Sequence, residues 1–595
     1  MSRTNLALRL PDGAPFAASE RAVLDTVLGR ASGEQRAWLA GFLAGLAARD
    51  EAAAPQADTQ PAVRGAEPLL ILYATESGNA EGVATKLAAS ARRQGFKVTL
   101  KDVADSSPAE AAKAKSLLLV AATWGEGEPP SRAAGFYRAL MAADAPRLEQ
   151  VRFAVLALGD RAYANFCSTG RELDARLEAL GGTRVATRVD CDLDFANPAA
   201  AWGERVLAAL RPAEPAASGA EIIRLEFAPP AAAEPAWSRE RPFPAEVLEH
   251  VNLNSSRSDK VTVHLGLSLA GSGLAFEPGD ALMLLPENDP ATVDQLLAAS
   301  GAVADEAFAW RLRRELDVTT LSRATLEAYQ GLRPQDGLAR LLEGEGWREF
   351  VAGRQVVDLL EAYPSRLETD ELAALLRPLP ARAYSIASSL LAHPDEAHLL
   401  IGQVAYQAHG RRRQGVASGY AAQRLAPGAT VGTHLRPNRH FRLPESGDVP
   451  IVMVGPGTGV APFRSFVQHR RERGDRGRSW LFFGERRFTH DFLYQLDWQE
   501  AVAEGALTRM DVAFSRDQPE KVYVQHRLWE RRRELWAWLQ DGAVLYLCGD
   551  AAGMAKDVEA ALRRVAVDQG GLDGDAAAGW LEELTRGRRF RKDVY

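Results

Sequence analysis

Apolar runs alternate with helical patterns along most of this chain, and the runs end in small, hydroxylated or aromatic residues. Leu69-Leu70-Ile71-Leu72-Tyr73 has no polar position, as expected of a strand covered on both faces. Leu117–Val120, Phe153–Ala157, Pro450–Val454 and Val544–Leu547 read the same way. Helical spacing follows the first run at Val83 to Leu87, so a parallel α/β sheet is predicted at each end of the chain. The middle differs. Residues 243–285 alternate as β-structure, at Lys260–Leu265 and around Phe276–Asp280. Between Asp289 and Arg377, Leu and Ala recur at i, i+3, i+4, and strands resume at Ala381 and Leu399–Tyr406. The prediction is multidomain α/β: a doubly wound domain, a β-barrel with a helical insert, and a second α/β domain.

Five segments follow. Residues 1–66 hold two helical patterns, with Ser32 and Gln35 as a capping box, and then a linker rich in Ala, Pro and Gln over 51–66. The apolar stretch at 37–48 falls short of the roughly 20 residues a membrane span needs and reads as a self-association or docking helix. The first α/β domain covers 67–210. A linker over 211–240 is loaded with Ala, Pro and Glu and carries a strand-like insert, Ile222–Leu225. The barrel takes 241–445, with its helical insert at about 289–377, and the second α/β domain takes 446–595.

At 595 residues several cores are required, and a net charge of −7 argues against non-specific nucleic-acid binding. The three cysteines, Cys167, Cys191 and Cys548, lie far apart, so neither a disulfide framework nor an all-Cys metal site is expected, and a reducing cytoplasm suits the chain.

Ligands of open parallel sheets sit beyond the carboxyl ends of the strands. The first run ends in Thr75-Glu76-Ser77-Gly78-Asn79-Ala80, a hydroxyl-rich turn opening a helix, which makes an anion cradle. It lacks the Gly-Lys-Ser/Thr of a nucleotidase P-loop. The second ends in Ala122-Thr123-Trp124-Gly125, and the third in Leu158-Gly159-Asp160 followed by Tyr163, Asn165, Phe166 and Cys167. Trp124 and Tyr163 are placed to flank a flat ring. In Arg382-Ala383-Tyr384-Ser385 a guanidinium suits a pyrophosphate, an aromatic ring suits an isoalloxazine, and a hydroxyl suits the reactive edge. Gly415-Val416-Ala417-Ser418 is a turn into a helix whose N–H groups suit a pyrophosphate. The preceding Arg411-Arg412-Arg413 reads as a solvated hairpin tip. Gly455-Pro456-Gly457-Thr458-Gly459 is a Gly-rich strand-to-helix turn for a dinucleotide. Ser515, Arg516, Lys521, Val522, Tyr523, Val524 and Gln525 bring a hydroxyl, two cations and an aromatic together, which favours NADP over NAD. Cys548 ends a strand beside Gly549-Asp550. The polar tail would ordinarily fray; its functional reading is that Tyr595 stacks on a flavin.

Taken in order, Ser-Gly-Asn-Ala at 77–80, Gly-Glu-Gly-Glu-Pro-Pro at 125–130, Arg-Ala-Tyr-Ser at 382–385, Gly-Pro-Gly-Thr-Gly at 455–459, Cys-Gly-Asp at 548–550 and the terminal Asp-Val-Tyr resemble the diflavin reductase family. Within it the chain is most similar to the flavoprotein (alpha) subunits of assimilatory NADPH-sulfite reductases. The resemblance implies a flavodoxin-like FMN domain, then a ferredoxin-NADP reductase-like module. It implies FMN on the three strand ends quoted above. FAD is implied on Arg382–Ser385, Leu400, Ile401, Gly402, Tyr406, Gly415–Ser418 and Tyr595, and NADPH on Gly457, Thr458, the 515–525 group and Asp557. Ser385, Cys548 and Asp593 are implied in hydride transfer to FAD, with Tyr595 moving aside, before single electrons pass to FMN. The implied partner is a sirohaem and iron–sulfur hemoprotein (beta) subunit that reduces sulfite to sulfide in sulfur assimilation towards cysteine. The N-terminal segment is implied in homo-oligomerisation. Another haem protein is the alternative acceptor; the terminal Tyr and the lack of a leading anchor set the chain apart from microsomal reductases. Ala122 replaces a usual Ser, Val416 a usual Gly, and Asp317 stands unassigned where that subfamily tends to have Thr.

Overall fold

The computed structural model describes residues 67–76, 78–125, 127–211, 237–551 and 553–595. The N-terminal helix with its capping box, the linker at 51–66, the Ile222–Leu225 insert, Ser77 and Glu126 lie outside the described residues.

The first sheet contains β1 (Pro68–Ala74), β2 (Lys97–Asp102), β3 (Ser116–Ala122), β4 (Arg152–Leu158), β5 (Thr183–Arg184) and β6 (Val189–Cys191). All pair in parallel in the order β2-β1-β3-β4-β5, with β6 also on β4. This is the flavodoxin-like order, which places a crevice where the winding reverses between β1 and β3. Apolar side chains cover both faces: Ile71, Leu118 and Leu156 pack with Trp202 on one side, Leu72, Leu119 and Val155 with Phe136 on the other. The unbroken hydrophobic runs are explained by that double burial.

The middle sheet is antiparallel. Its strands are β7 (Phe243–Asn252), β8 (Thr262–Ser268), β9 (Ala281–Leu284), β12 (Arg382–Ser385), β13 (Glu396–Gly402) and β16 (Thr430–Arg436), in the order β12-β9-β16-β7-β8-β13. Phe276–Asp280, expected within β-structure, forms the turn before β9. Gly279 has φ 99°, and a Cβ there would meet the Phe441 carbonyl oxygen at 1.7 Å. Helices between Pro290 and Leu375 form the insert with their own core around Leu296, Leu326, Tyr329 and Leu359. The insert is closed by β10 (Leu316–Asp317) against β11 (Arg377–Pro378). Beyond β13 the expected single strand is interrupted at Gln403–Val404, and β14 (Ala405–Ala408) and β15 (Arg411–Gln414) form a separate hairpin.

The last sheet is fully parallel: β17 (Ile451–Val454), β18 (Ser479–Glu485), β19 (Arg509–Phe514), β20 (Val544–Gly549) and β21 (Phe590–Val594), in the order β19-β18-β17-β20-β21. The tail that composition would call frayed is therefore its fifth strand, in register with β20 so that Cys548 lies beside Asp593. No described helix is long and apolar enough to cross a membrane.

Candidate flavin and dinucleotide sites

At the end of β1, Thr75 is buried and its Oγ1 accepts the Gly78 N–H at 2.8 Å. The hydroxyl thus closes the turn and keeps its own proton for donation. Gly78 has φ 80°, a conformation glycine tolerates, and the helix Asn79–Arg93 starts there. Glu76 does not face outward: Oε2 accepts the Ser131 N–H at 2.6 Å, tying the first strand end to the second. Burial raises the Glu76 pKa, with the Ser131 bond opposing. At the second end, Trp124 and Glu128 form a β-bridge, and Gly127 is packed against Asn165 of the third. Thr123 Oγ1 is buried without a hydrogen-bond partner among the described residues. A buried hydroxyl without a partner is costly, which fits a ligand acceptor at this point. At the third end, Tyr163 is 51% exposed and Cys167 fully buried. Burial pushes the Cys167 thiol up to about 12, so it serves as a packed wall rather than a nucleophile. The three ends converge, and this donor set fits a flat anionic cofactor.

In the barrel, Arg382 is exposed while Tyr384 is partly covered, and burial raises the Tyr384 hydroxyl to about 12. Leu400 and Ile401 turn their side chains into the core, whereas Tyr406 is open. A Cβ on Gly415 would come within 2.7 Å of Ser418 Oγ, so the turn into Val416–Gln423 is close-packed against the Ser418 hydroxyl. The arginine run corrects the expectation. The hairpin tip is His409-Gly410, and Arg411–Arg413 form β15. Arg413 is 4% exposed and donates to both Asp358 oxygens at 2.5 Å and to Gln355 Oε1 at 2.9 Å. Arg411 pairs with Glu361. Alternation within a strand, invisible in three identical letters, buries the last one. With Arg424, Gly415 and Val416 these arginines line a cavity of about 280 Å³, a cationic recess that suits a diphosphate.

The dinucleotide turn is tight. A Cβ on Gly459 would meet the Cys548 carbonyl oxygen at 2.2 Å, so the chain after β17 can pass β20 only with glycine there. Ser515 N–H donates to the Glu485 carbonyl at 2.9 Å, which sets Ser515 and Arg516 at the adjoining ends of β18 and β19. Arg516 pairs with Asp259 of the barrel at 3.5 Å, as does Arg486 at 2.8 Å. Lys521 and Tyr523 are exposed, Gln525 Nε2 donates to Asp557 Oδ2 at 3.1 Å, and Val524 turns its side chain into the core.

Barrel and last sheet meet at Asp593. Ser385 Oγ donates to its Oδ2 at 2.9 Å, the Cys548 thiol lies 3.9 Å from the same oxygen, and Asn438 Nδ2 lies 3.4 Å from Oδ1. Burial raises the Asp593 pKa, with Ser385 and Arg436 opposing, and burial together with Asp593 keeps Cys548 a thiol. Arg436 and Asn438 were not singled out from sequence; they follow from β16, which lies on the far side of β9 from Arg382–Ser385 and ends in Arg-Pro-Asn. Tyr595 is held by its backbone, N–H to Gly549 O at 3.0 Å and O from Ala551 N–H at 3.1 Å. Its ring is 54% exposed and its hydroxyl lies 3.0 Å from Thr458 Oγ1. Elsewhere, His393, Glu396 and His398 cluster with ligand atoms within 4.8 Å. Arg464 Nη1 sits 3.2 Å from His398 Nδ1, and a cation there disfavours a metal ion.

Family models match in the same order: Flavodoxin over 71–202, FAD binding domain over 235–326 and 336–420, and Oxidoreductase NAD-binding domain over 453–560. The sulfite reductase [NADPH] flavoprotein alpha-component of Bacillus subtilis is 43% identical over 98% of this chain and 99% of its own length. Namesakes from Vibrio vulnificus and Neisseria meningitidis (serogroup A) are 40% and 41% identical over 95% and 94% of this chain and 94% and 95% of their own lengths. With FMN-, FAD- and NADP-type domains in one chain and likeness along nearly all of it, the protein belongs to the diflavin reductases, in the family of NADPH-sulfite reductase flavoprotein alpha-components.

Proposed function

We propose that this chain carries electrons from NADPH through FAD and FMN to a sirohaem and iron–sulfur hemoprotein subunit that reduces sulfite to sulfide in the cytoplasm. The observation that carries the reading is likeness to sulfite reductase flavoprotein components across all three cofactor domains rather than one. When bound, the two flavins supply the change from a paired-electron donor to single-electron delivery.

The chain's own residues do the rest. Arg382, Tyr384 and Gly415–Ser418 hold FAD, and Thr75–Ala80, Ala122–Gly125 and Leu158–Cys167 hold FMN. Gly457, Thr458, Ser515, Arg516, Lys521, Tyr523, Gln525 and Asp557 hold NADPH. Asp593 orients the Ser385 hydroxyl and the Cys548 thiol from two domains towards one point. Swinging the Tyr595 ring breaks one hydroxyl bond, a cost of about 1 kcal/mol, and leaves the strand that carries it intact. A homo-oligomer formed through the N-terminal segment completes the reading.

The test is direct. Purified chain, hemoprotein subunit, sulfite and NADPH together should yield sulfide, and omission of either protein should abolish it. Reduction of the bound flavins with no sulfide would redirect the assignment to another haem acceptor.

A further inference from the structure

Arg377 has no role in the sites above, yet its side chain bridges the two flavin domains. It lies on β11, directly opposite Asp317 of β10. Asp317 is 4% exposed and accepts from Thr319 N–H and Oγ1 at 2.9 and 2.8 Å, and from Thr320 N–H and Oγ1 at 3.1 and 2.6 Å. Arg377 Nε donates to the same carboxylate at 3.0 Å and Nη2 to Thr320 Oγ1 at 3.2 Å. Two edges of the guanidinium are therefore fixed within the FAD module. The third, Nη1, reaches across to Asp160 Oδ1 at 2.6 Å. Asp160 belongs to the FMN loop, and the same oxygen accepts the Ala162 N–H at 2.8 Å.

We infer that Arg377 is a positioning residue that registers the FMN loop on the FAD module for transfer between the flavins, with Asp317 as its anchor. This rests on the electron route proposed above. A neutral side chain at 317 would have no charge with which to hold the guanidinium. Because the fork is held before docking, little side-chain freedom is lost when Asp160 arrives. Among the described residues the other ion pairs between the FMN domain and the rest are looser: Arg138–Glu582 is highly exposed, Arg239–Asp194 is exposed at 3.4 Å, and His440–Glu81 and Arg588–Asp105 stand at 3.8 and 3.9 Å. Exposed pairs of that kind contribute little.

The test uses the full chain with both flavins. In Arg377→Gln, reduction of FAD by NADPH should keep its rate in stopped-flow absorbance. Passage of electrons to FMN should slow about tenfold, the coupling of one contacting ion pair. Small-angle X-ray scattering at low salt should show a larger radius of gyration than in the wild type, and high salt should bring the wild type to the same value. Asp160→Asn keeps the Ala162 bond and leaves the Arg377–Asp317 pair untouched, and with its transfer rate counted per molecule that retains FMN it carries the test even if Arg377→Gln folds poorly. The double variant should be no slower than either single one, and Arg377→Lys should recover part of the rate. Additive slowing in the double variant, or unchanged scattering in both single variants, overturns the assignment. Failure of NADPH to reduce any flavin in the wild type would instead overturn the electron route.

Discussion

The two ends of this chain use one architecture for opposite purposes. In the FMN domain and in the last sheet, parallel strands stop at a shared crevice and hand it their final residues. At β20 and β21 those residues are closed in: Cys548 is fully buried, and Asp593 is bonded to side chains from another domain. At β3 and β4 they are open: Gly125 is exposed and Tyr163 stands half out of the surface. Proton-bearing groups that orient a donor need shelter from water, because shelter fixes their protonation. A site that hands electrons to another protein needs an uncovered edge.

That contrast breaks first at Asp593. Asp593→Asn should slow flavin reduction by NADPH about 10²-fold in stopped-flow measurements, the scale for reacting groups that lose their placement, while a one-electron reductant should still reduce FMN normally. Its pKa is raised in the fold, so the folded state holds a proton that the unfolded chain releases. Stability therefore falls as pH climbs from the ordinary carboxylate range through the raised value, and the Asn variant should flatten that part of a melting profile.

The contrast sharpens at Arg516. Arg516→Ala should weaken NADPH about 10- to 100-fold, as expected for a lost charge-assisted bond, and NADH far less. Equal losses, read as KM for each donor, would remove the 2′-phosphate assignment. Gly459→Ala should lower stability by about 1–3 kcal/mol through forced contact with the Cys548 carbonyl, visible as a lower Tm. The smallest effect lies on the open side. Thr123→Val should cost about 1 kcal/mol in FMN affinity, several-fold in Kd by fluorescence titration, without loss of stability in the flavin-free chain.

What could be read in advance follows from burial. Strands covered on both faces must be apolar throughout, so β1, β3, β4, β17 and β20 were legible, and their final residues named the crevices. The helical insert was legible for the same reason at a period of 3.6. Polar groups bonded at long range were not. Asp317 and Arg377 lie 60 residues apart, and Arg377 and Asp160 lie 217 apart. Arg413 looked like surface because its carboxylate partner is 55 residues upstream. The β21 strand was hidden by its composition: at a sheet edge, alternate residues can stay polar.

That edge has a second consequence. The charged Arg591, Lys592 and Asp593 occupy the outermost strand, and lateral pairing with a second molecule is discouraged by such residues. Stripping away residues 590–595 would leave Val544–Leu547 as a bare apolar rim with unsatisfied amides. The segment that carries Asp593 is thus also a guard against aggregation, and shortened forms should precipitate where the full chain stays in solution.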